Sequence, residues 1–273
     1  MGKFDGILIC TDLDGTLFRN DKTISDENIK AIEYFKSEGG YFTFVTGRMP
    51  FYFSEVTEAI KPNAPVGCMN GGGLYDTVKG EYIWNKVISD KVLELASLVD
   101  ENFPDIGIMV PTLDRIFFCK ESKAAATFRK LTKLENLVCH YNDIKEPKSR
   151  IVFAIDNYDE VAEIENMFKK HPLYNEFEFV GTEKIFYEVL PKGIGKGVAI
   201  EKLCDFLGVD VRKTVAIGDY YNDVSMFRKA GIGIAVDNAC DDVKAAADFV
   251  TVSNEEHAIA RVIYDIEAGK YNI

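Results

Sequence analysis

Hydrophobic positions follow two alternating rhythms along this chain. Phe4 to Thr11 is a short apolar run ending in polar residues, which predicts a strand buried on both faces. The spacing then changes: Ile29, Ile32 and Phe35 form a helical stripe, with Ser25 as N-cap, Asp26 and Glu27 in the first turn, and Gly39-Gly40 at the end. A second strand, Tyr41 to Val45, leads to Thr46-Gly47-Arg48 and Pro50, and proline suits the first turn of a helix. A third, Val66 to Met69, runs into the turn Asn70-Gly71-Gly72-Gly73. This alternation of strand and helix predicts a parallel sheet with helices on its faces.

The middle of the chain has another style. Leu74 to Asn85 reads as a hairpin, and helices at about 89–102, 123–134 and 159–170 are interleaved with strands near 106–110, 115–119, 150–155, 176–180 and 185–190. More antiparallel pairing is expected there, in an α+β manner. From Gly195 the first style returns. A helix to Leu207 stops at Gly208, strand Thr214–Ile217 leads to Gly218-Asp219, and strands at 231–236 and 249–252 alternate with helices to the end. The simplest account is one discontinuous α/β domain, 1–84 plus 191–273, with an inserted α+β domain, 85–190.

Composition narrows the function. The 273 residues are 47% hydrophobic and 28% charged, as in a soluble globular chain. Lys plus Arg total 32 against 44 Asp plus Glu, for a formal net charge of -12. That argues against nucleic acid or an anionic membrane as the main partner. It also repels an anionic substrate at long range, so a site for one must supply local positive charge. Cys10, Cys68, Cys119, Cys139, Cys204 and Cys240 form no C-x-x-C pair and are scattered through apolar runs, which reads as buried free thiols in a reducing compartment. No signal peptide or membrane-length apolar stretch is visible, and Gly6 stands where a myristoylation signal wants Ser or Thr. The expected location is cytoplasmic.

Three predicted buried strands end in polar residues: Thr11-Asp12, Thr46 and Asp219. In open parallel sheets, ligands bind beyond the carboxyl ends of the strands. Asp12 and Asp14 lie at one such end, and Asp219, Asn222 and Asp223 cluster at another. Any one of these alone reads as a turn or cap. Two groups of carboxylates in one crevice suit a hard cation such as Mg²⁺. Lys196 falls on the apolar stripe of Ala199, Ile200, Leu203, Phe206 and Leu207 near a helix start, where it opposes the helix dipole and faces inward. Such a lysine either snorkels to solvent or meets the acidic cluster or an anion held there. Thr46-Gly47 supplies a hydroxyl and an unhindered N–H before a helix, a site for an oxyanion. Gly193-Ile194-Gly195-Lys196-Gly197 fails as a phosphate loop, because Leu190 replaces the first glycine and Gly197 the Ser or Thr. No Gly-x-Ser-x-Gly elbow is present, and His140, His171 and His257 lack zinc spacing.

Together these pieces resemble the haloacid dehalogenase superfamily. Asp12-Leu13-Asp14-Gly15-Thr16-Leu17 looks like its first motif, Thr46-Gly47-Arg48 is similar to the second, Lys196 fits the third, and Gly218-Asp219-Tyr220-Tyr221-Asn222-Asp223 resembles the fourth. The insert after Asn70-Gly71 resembles the large cap of the Cof-type phosphatase branch, and only the pair Tyr220-Tyr221 departs from its usual pattern. The resemblance implies a Rossmann-like α/β core with an inserted α+β cap, and Mg²⁺-dependent hydrolysis of small phosphomonoesters, sugar phosphates first. Asp12 would attack phosphorus, and Asp14 would protonate the leaving oxygen and then activate water. The Asp12 side chain, the Asp14 carbonyl and Asp219 would hold the metal. Thr46, Gly47, Lys196 and Asn222 would hold the phosphoryl oxygens, and Asp223 would orient Lys196 or a metal-bound water. Other expectations are a phosphomutase, a phosphatase of pyridoxal phosphate or flavin mononucleotide, or, outside enzymes, a regulatory phosphate-binding protein. The expected partner is a small phosphorylated metabolite, met by a monomer or weak homodimer. Arg115, Lys148, Arg150 and Glu188 are candidates for inward-facing cap groups, each also readable as an ordinary salt-bridge partner.

Overall fold

The computed structural model describes residues 2–157, 159–183 and 185–273. In chain order the elements are β1 (Leu8–Thr11), α1 (Asp26–Ser37), β2 (Tyr41–Phe44), α2 (Ser54–Ile60), β3 (Val66–Cys68), β4 (Gly73–Asp76) and β5 (Glu81–Asn85). Then come α3 (Val92–Asn102), β6 (Gly107–Pro111), β7 (Ile116–Lys120), α4 (Lys123–Thr132), β8 (Ile151–Ala154), α5 (Glu160–Lys169), β9 (Phe177–Glu183) and β10 (Phe186–Pro191). The last are α6 (Lys196–Leu207), β11 (Thr214–Gly218), α7 (Val224–Lys229), β12 (Ile232–Ala235), α8 (Asp241–Ala245), β13 (Phe249–Val250) and α9 (Ala258–Glu267). The chain divides into two units, one running to Asn85 and resuming at Gly195, the other spanning Lys86–Ile194.

The first unit is built on a parallel sheet in the order β13-β12-β11-β1-β2. Its central strands have no solvent-facing side. Every residue of β1 and β11 is buried, as a sheet covered by helices on both faces requires. Leu8, Cys10, Ala216 and Ala235 pack with Ala199, Ile200 and Leu203 of α6 and with Met226 and Phe227 of α7. The chain crosses from β1 to β2 on one side and re-enters through β11 on the other, so the order reverses beside β1. Such a reversal opens a crevice at the carboxyl ends of the strands.

Two local expectations are corrected. Val66–Cys68 does not extend the parallel sheet. It pairs antiparallel with β4 in a second sheet, β3-β4-β5, and a single parallel bridge, Val45 to Gly67, links it to the end of β2. Met69, Asn70 and Gly71 follow at φ of 55°, 54° and 90°, and this left-handed run turns the chain straight back into the hairpin. The helix after Pro50 is also delayed. Pro50–Tyr52 forms one 3-10 turn, Phe53 at φ −125° and ψ 18° interrupts it, and α2 begins at Ser54.

The second unit is an antiparallel sheet in the order β7-β6-β8-β10-β9. Val92, Leu95 and Val99 of α3 and Ile164 and Phe168 of α5 share one core with Ile108, Val110, Ile151, Phe153, Tyr187 and Val189. The cysteines are free thiols, but only Cys10, Cys68 and Cys204 are buried. Cys240 is exposed because it precedes α8 instead of lying in a strand. No helix among the described residues is long and apolar enough to cross a membrane.

Candidate active site

The carboxyl ends of β1 and β11 lie side by side, in register from Leu8 with Thr214 to Thr11 with Ile217. Asp12 continues this pairing, its N–H donating to the Ile217 carbonyl at 2.8 Å, and is only 7% exposed. The backbone then leaves strand geometry. Gly15 has φ of +80°, and a Cβ there would lie 2.4 Å from Asp219 Oδ2, so only glycine lets this loop pass the next strand end. Thr16 Oγ1 donates to Asp219 Oδ1 at 2.7 Å.

Lys196 opens α6 and is 1% exposed. Its ammonium lies 2.7 Å from Asp12 Oδ1 and 2.6 Å from Asp223 Oδ1. Asp223 is fully buried, and its second oxygen accepts the Asp219 and Tyr220 N–H groups at 2.9 and 3.0 Å. Burial works against the Lys196 charge, yet Asp12 and Asp223 outweigh it and hold the ammonium above the usual lysine range. The carboxylates outnumber it. Burial pushes Asp12 well up, Lys196 partly counters this, and Asp223 and Asp219 add to the rise. Burial and the Asp223 charge push Asp219 up to about 7. One ligand oxygen each from Asp12, Asp219 and Asp223 lies within 4.8 Å of the others. Crowded hard oxygens with surplus negative charge fit a small divalent cation.

Asp14 faces different partners. Arg48 grips its carboxylate with two bonds, Nε to Oδ2 at 3.0 Å and Nη2 to Oδ1 at 2.9 Å, and Lys22 Nζ adds a third at 2.9 Å. Burial would raise Asp14, but the Arg48 and Lys22 charges and bonds hold it below the usual carboxylate range. Two aspartates two residues apart are thus driven in opposite directions.

Thr46 is 2% exposed, and its hydroxyl oxygen accepts the Arg48 N–H at 3.2 Å. The hydroxyl proton is therefore directed elsewhere, as an oxyanion donor requires. A Cβ on Gly47 would come within 3.0 Å of Asn70 Oδ1. That same oxygen accepts from Asn222 Nδ2 at 3.2 Å. Asn222 Oδ1 is buried and finds no partner among the described residues. Asp12, Lys196, Asp219 and Asp223 therefore form one bonded cluster, while Thr46 and Asn222 are tied to each other through Asn70, whose N–H donates to the Thr46 carbonyl at 3.0 Å.

Sequence reasoning assigned no role to Arg48, Lys22 or Asn70. Arg48 had a signal in its place directly after Thr46-Gly47, and Asn70 in being an asparagine before a glycine run, a residue that tolerates left-handed backbone. Lys22 had none. In the second unit, Arg115 is exposed beside Asp114, and Lys148 is buried against Asp90 and the Ile144 carbonyl. Arg150 and Glu188 form a buried pair at 2.9 Å, and Thr182 donates to Glu188 at 2.9 Å.

A strand-end nest of carboxylates around one buried lysine, on this sheet order, defines a class. A family model of haloacid dehalogenase-like hydrolases matches residues 9–263, and the chain belongs to that family. The 5-amino-6-(5-phospho-D-ribitylamino)uracil phosphatase YwtE of Bacillus subtilis is 28% identical over 289 residues, covering 96% of this chain and 99% of its own. The phosphatase YwpJ of the same organism is 26% identical, covering 94% and 98%. Among solved structures, a haloacid dehalogenase-like hydrolase from Bacteroides thetaiotaomicron matches with a TM-score of 0.79 at 25% identity, covering 95% of this chain and 99% of that one. A subclass IIB sugar phosphatase matches with a TM-score of 0.84 at 23% identity, covering 95% and 98%, a likeness of fold.

Proposed function

We propose that this hydrolase cleaves small phosphomonoesters with Mg²⁺, through a phosphate carried on Asp12. The observation that carries the reading is the buried Lys196 shared by Asp12 and Asp223, with Asp219 bonded beside them and negative charge in excess. Asp12, Asp219 and the Asp14 carbonyl would hold the cation. When bound, it would offset the charge of the phosphoryl group and of the carboxylates around it.

The residues then divide the work. Asp12 attacks phosphorus in line as the bond to the ester oxygen breaks and that oxygen takes a proton from Asp14. Lys196, the Thr46 hydroxyl, the Gly47 N–H and the Asn222 amide face the phosphoryl oxygens and stabilise their charge. Asp223 keeps Lys196 aimed. Water then attacks the aspartyl phosphate and gives its proton to Asp14. The clamp of Arg48 and Lys22 suits Asp14 to this second step. Giving a proton to the leaving oxygen in the first step requires Asp14 to be loaded against both cations.

Sugar and polyol phosphates are the preferred substrates, with the segment 86–194 choosing the leaving group. Three Bacillus subtilis relatives at 26–28% identity are named as phosphatases of a phosphorylated ribitylaminouracil, which favours a polyol phosphate bearing a heterocycle as the second reading. A panel of phosphate esters with Mg²⁺, read by phosphate release, tests the proposal. Release from sugar or polyol phosphates is expected. Binding without release would mark a regulatory phosphate-binding protein, and transfer between sugar positions a mutase.

A further inference from the structure

Arg48 is held at several points. Its N–H donates to Thr46 Oγ1 at 3.2 Å, and its carbonyl accepts the Met69 N–H at 3.1 Å. Its guanidinium lies 5.2 Å from the ring centroid of Phe18, a buried side chain. From that seat it meets Asp14 fork to fork, with two bonds of 3.0 and 2.9 Å. Bidentate pairs of this kind fix a plane as well as a distance. Asp14 needs such a partner, because it lies outside regular helix, at φ −75° and ψ 118°, next to Gly15 at φ 80°. Lys22 cannot supply it. Among the described residues its ammonium bonds to Asp14 alone and its side chain is 65% exposed, and exposed single pairs hold geometry weakly.

We propose that Arg48 is the positioning residue for the second transfer, fixing the rotamer and plane in which Asp14 receives the proton of the attacking water. This rests on the phosphatase reading above. In that step the water oxygen bonds to phosphorus and the bond from phosphorus to the Asp12 oxygen breaks. Asp12 leaves as a carboxylate with the electron pair, and the water proton passes to Asp14, yielding inorganic phosphate. A base displaced by about 1 Å loses on the order of 10²-fold in rate.

The test uses Arg48→Lys and Arg48→Ala with Mg²⁺ and p-nitrophenyl phosphate in stopped flow. An aryl leaving group needs no proton, so the first transfer reports attack on phosphorus alone. Both variants should release one nitrophenolate per site at the wild-type burst rate, then turn over about 10²-fold more slowly. Added guanidinium ion should restore part of the slow phase of Arg48→Ala, which a structural lesion would not allow. Burst and steady rates falling together, or KM rising at constant kcat, would overturn the proposal by making Arg48 a phosphate ligand. Acid quench separates the two levels. Phosphate on Asp12 of the wild type, with variants that turn over normally, overturns the role of Arg48 alone. No phosphate on Asp12 in any of the proteins overturns the phosphatase reading with it.

Discussion

Both units bury charged side chains, but they balance them differently. In the segment 86–194, Arg150 meets Glu188 at 2.9 Å and Lys148 meets Asp90 at 2.9 Å, each cation beside a carboxylate among the described residues. At the ends of β1 and β11, one buried ammonium serves Asp12 and Asp223, and Asp219 stands beside them. A balanced pair is complete without a ligand. In the unbalanced cluster burial and the crowded carboxylates push Asp12 up, and Asp219 up to about 7. The lesson is that buried charge marks a site through its imbalance and not through its presence.

Removing divalent ions should break the cluster most severely. Chelation is expected to abolish turnover, and Mg²⁺ to restore it while Ca²⁺ restores little, since compact octahedral geometry favours the smaller ion. Phosphate release by metal-free protein would erase the distinction drawn between the two regions.

The balanced pair invites the opposite experiment. Arg150→Met removes the guanidinium from beside the buried Glu188 carboxylate and should cost about 3–5 kcal/mol in chemical denaturation. Arg150→Met with Glu188→Leu should recover most of that loss. A double variant as stable as wild type but altered in its ranking of phosphate esters would move this pair from framework to specificity.

The smallest effect is on stability against pH. Asp219 has a raised folded-state pKa of about 7, so its contribution is full below the unfolded carboxylate range and is lost as pH rises through 7. Asp14 is lowered, so its contribution is present above that range and is lost as pH falls toward its folded value. Metal-free protein should therefore melt lower at pH 8 than at pH 6, and Mg²⁺ or Asp219→Asn should narrow the difference. A melting temperature flat over this interval would mean that the Asp219 charge is already compensated.

What the sequence revealed of this arrangement was whatever is local. The apolar runs ending in Thr11-Asp12 and Gly218-Asp219 announce strands and the acids at their ends, and the stripe from Lys196 to Leu207 announces a lysine facing inward. Pairings across the fold were not legible. Arg48 reaches Asp14 over 34 positions, and Asn222 reaches Asn70 over 152, and neither bond leaves a periodic trace. The placement of β3 was misread for a related reason. Its alternation with helices matches a parallel strand, but three residues followed by a left-handed run make a hairpin.

The central claim is that Asp12 carries the phosphoryl group. Wild-type protein with Mg²⁺ and a ³²P-labelled sugar phosphate, quenched in acid within one turnover and digested for peptide mass analysis, measures this directly. The account predicts label on the peptide containing Asp12, sensitive to hydroxylamine as an acyl phosphate is, and none in Asp12→Asn, which should remain folded because Asp223 still pairs with the buried Lys196 at 2.6 Å. Label on a serine or histidine, or turnover by Asp12→Asn at the wild-type rate, would contradict it.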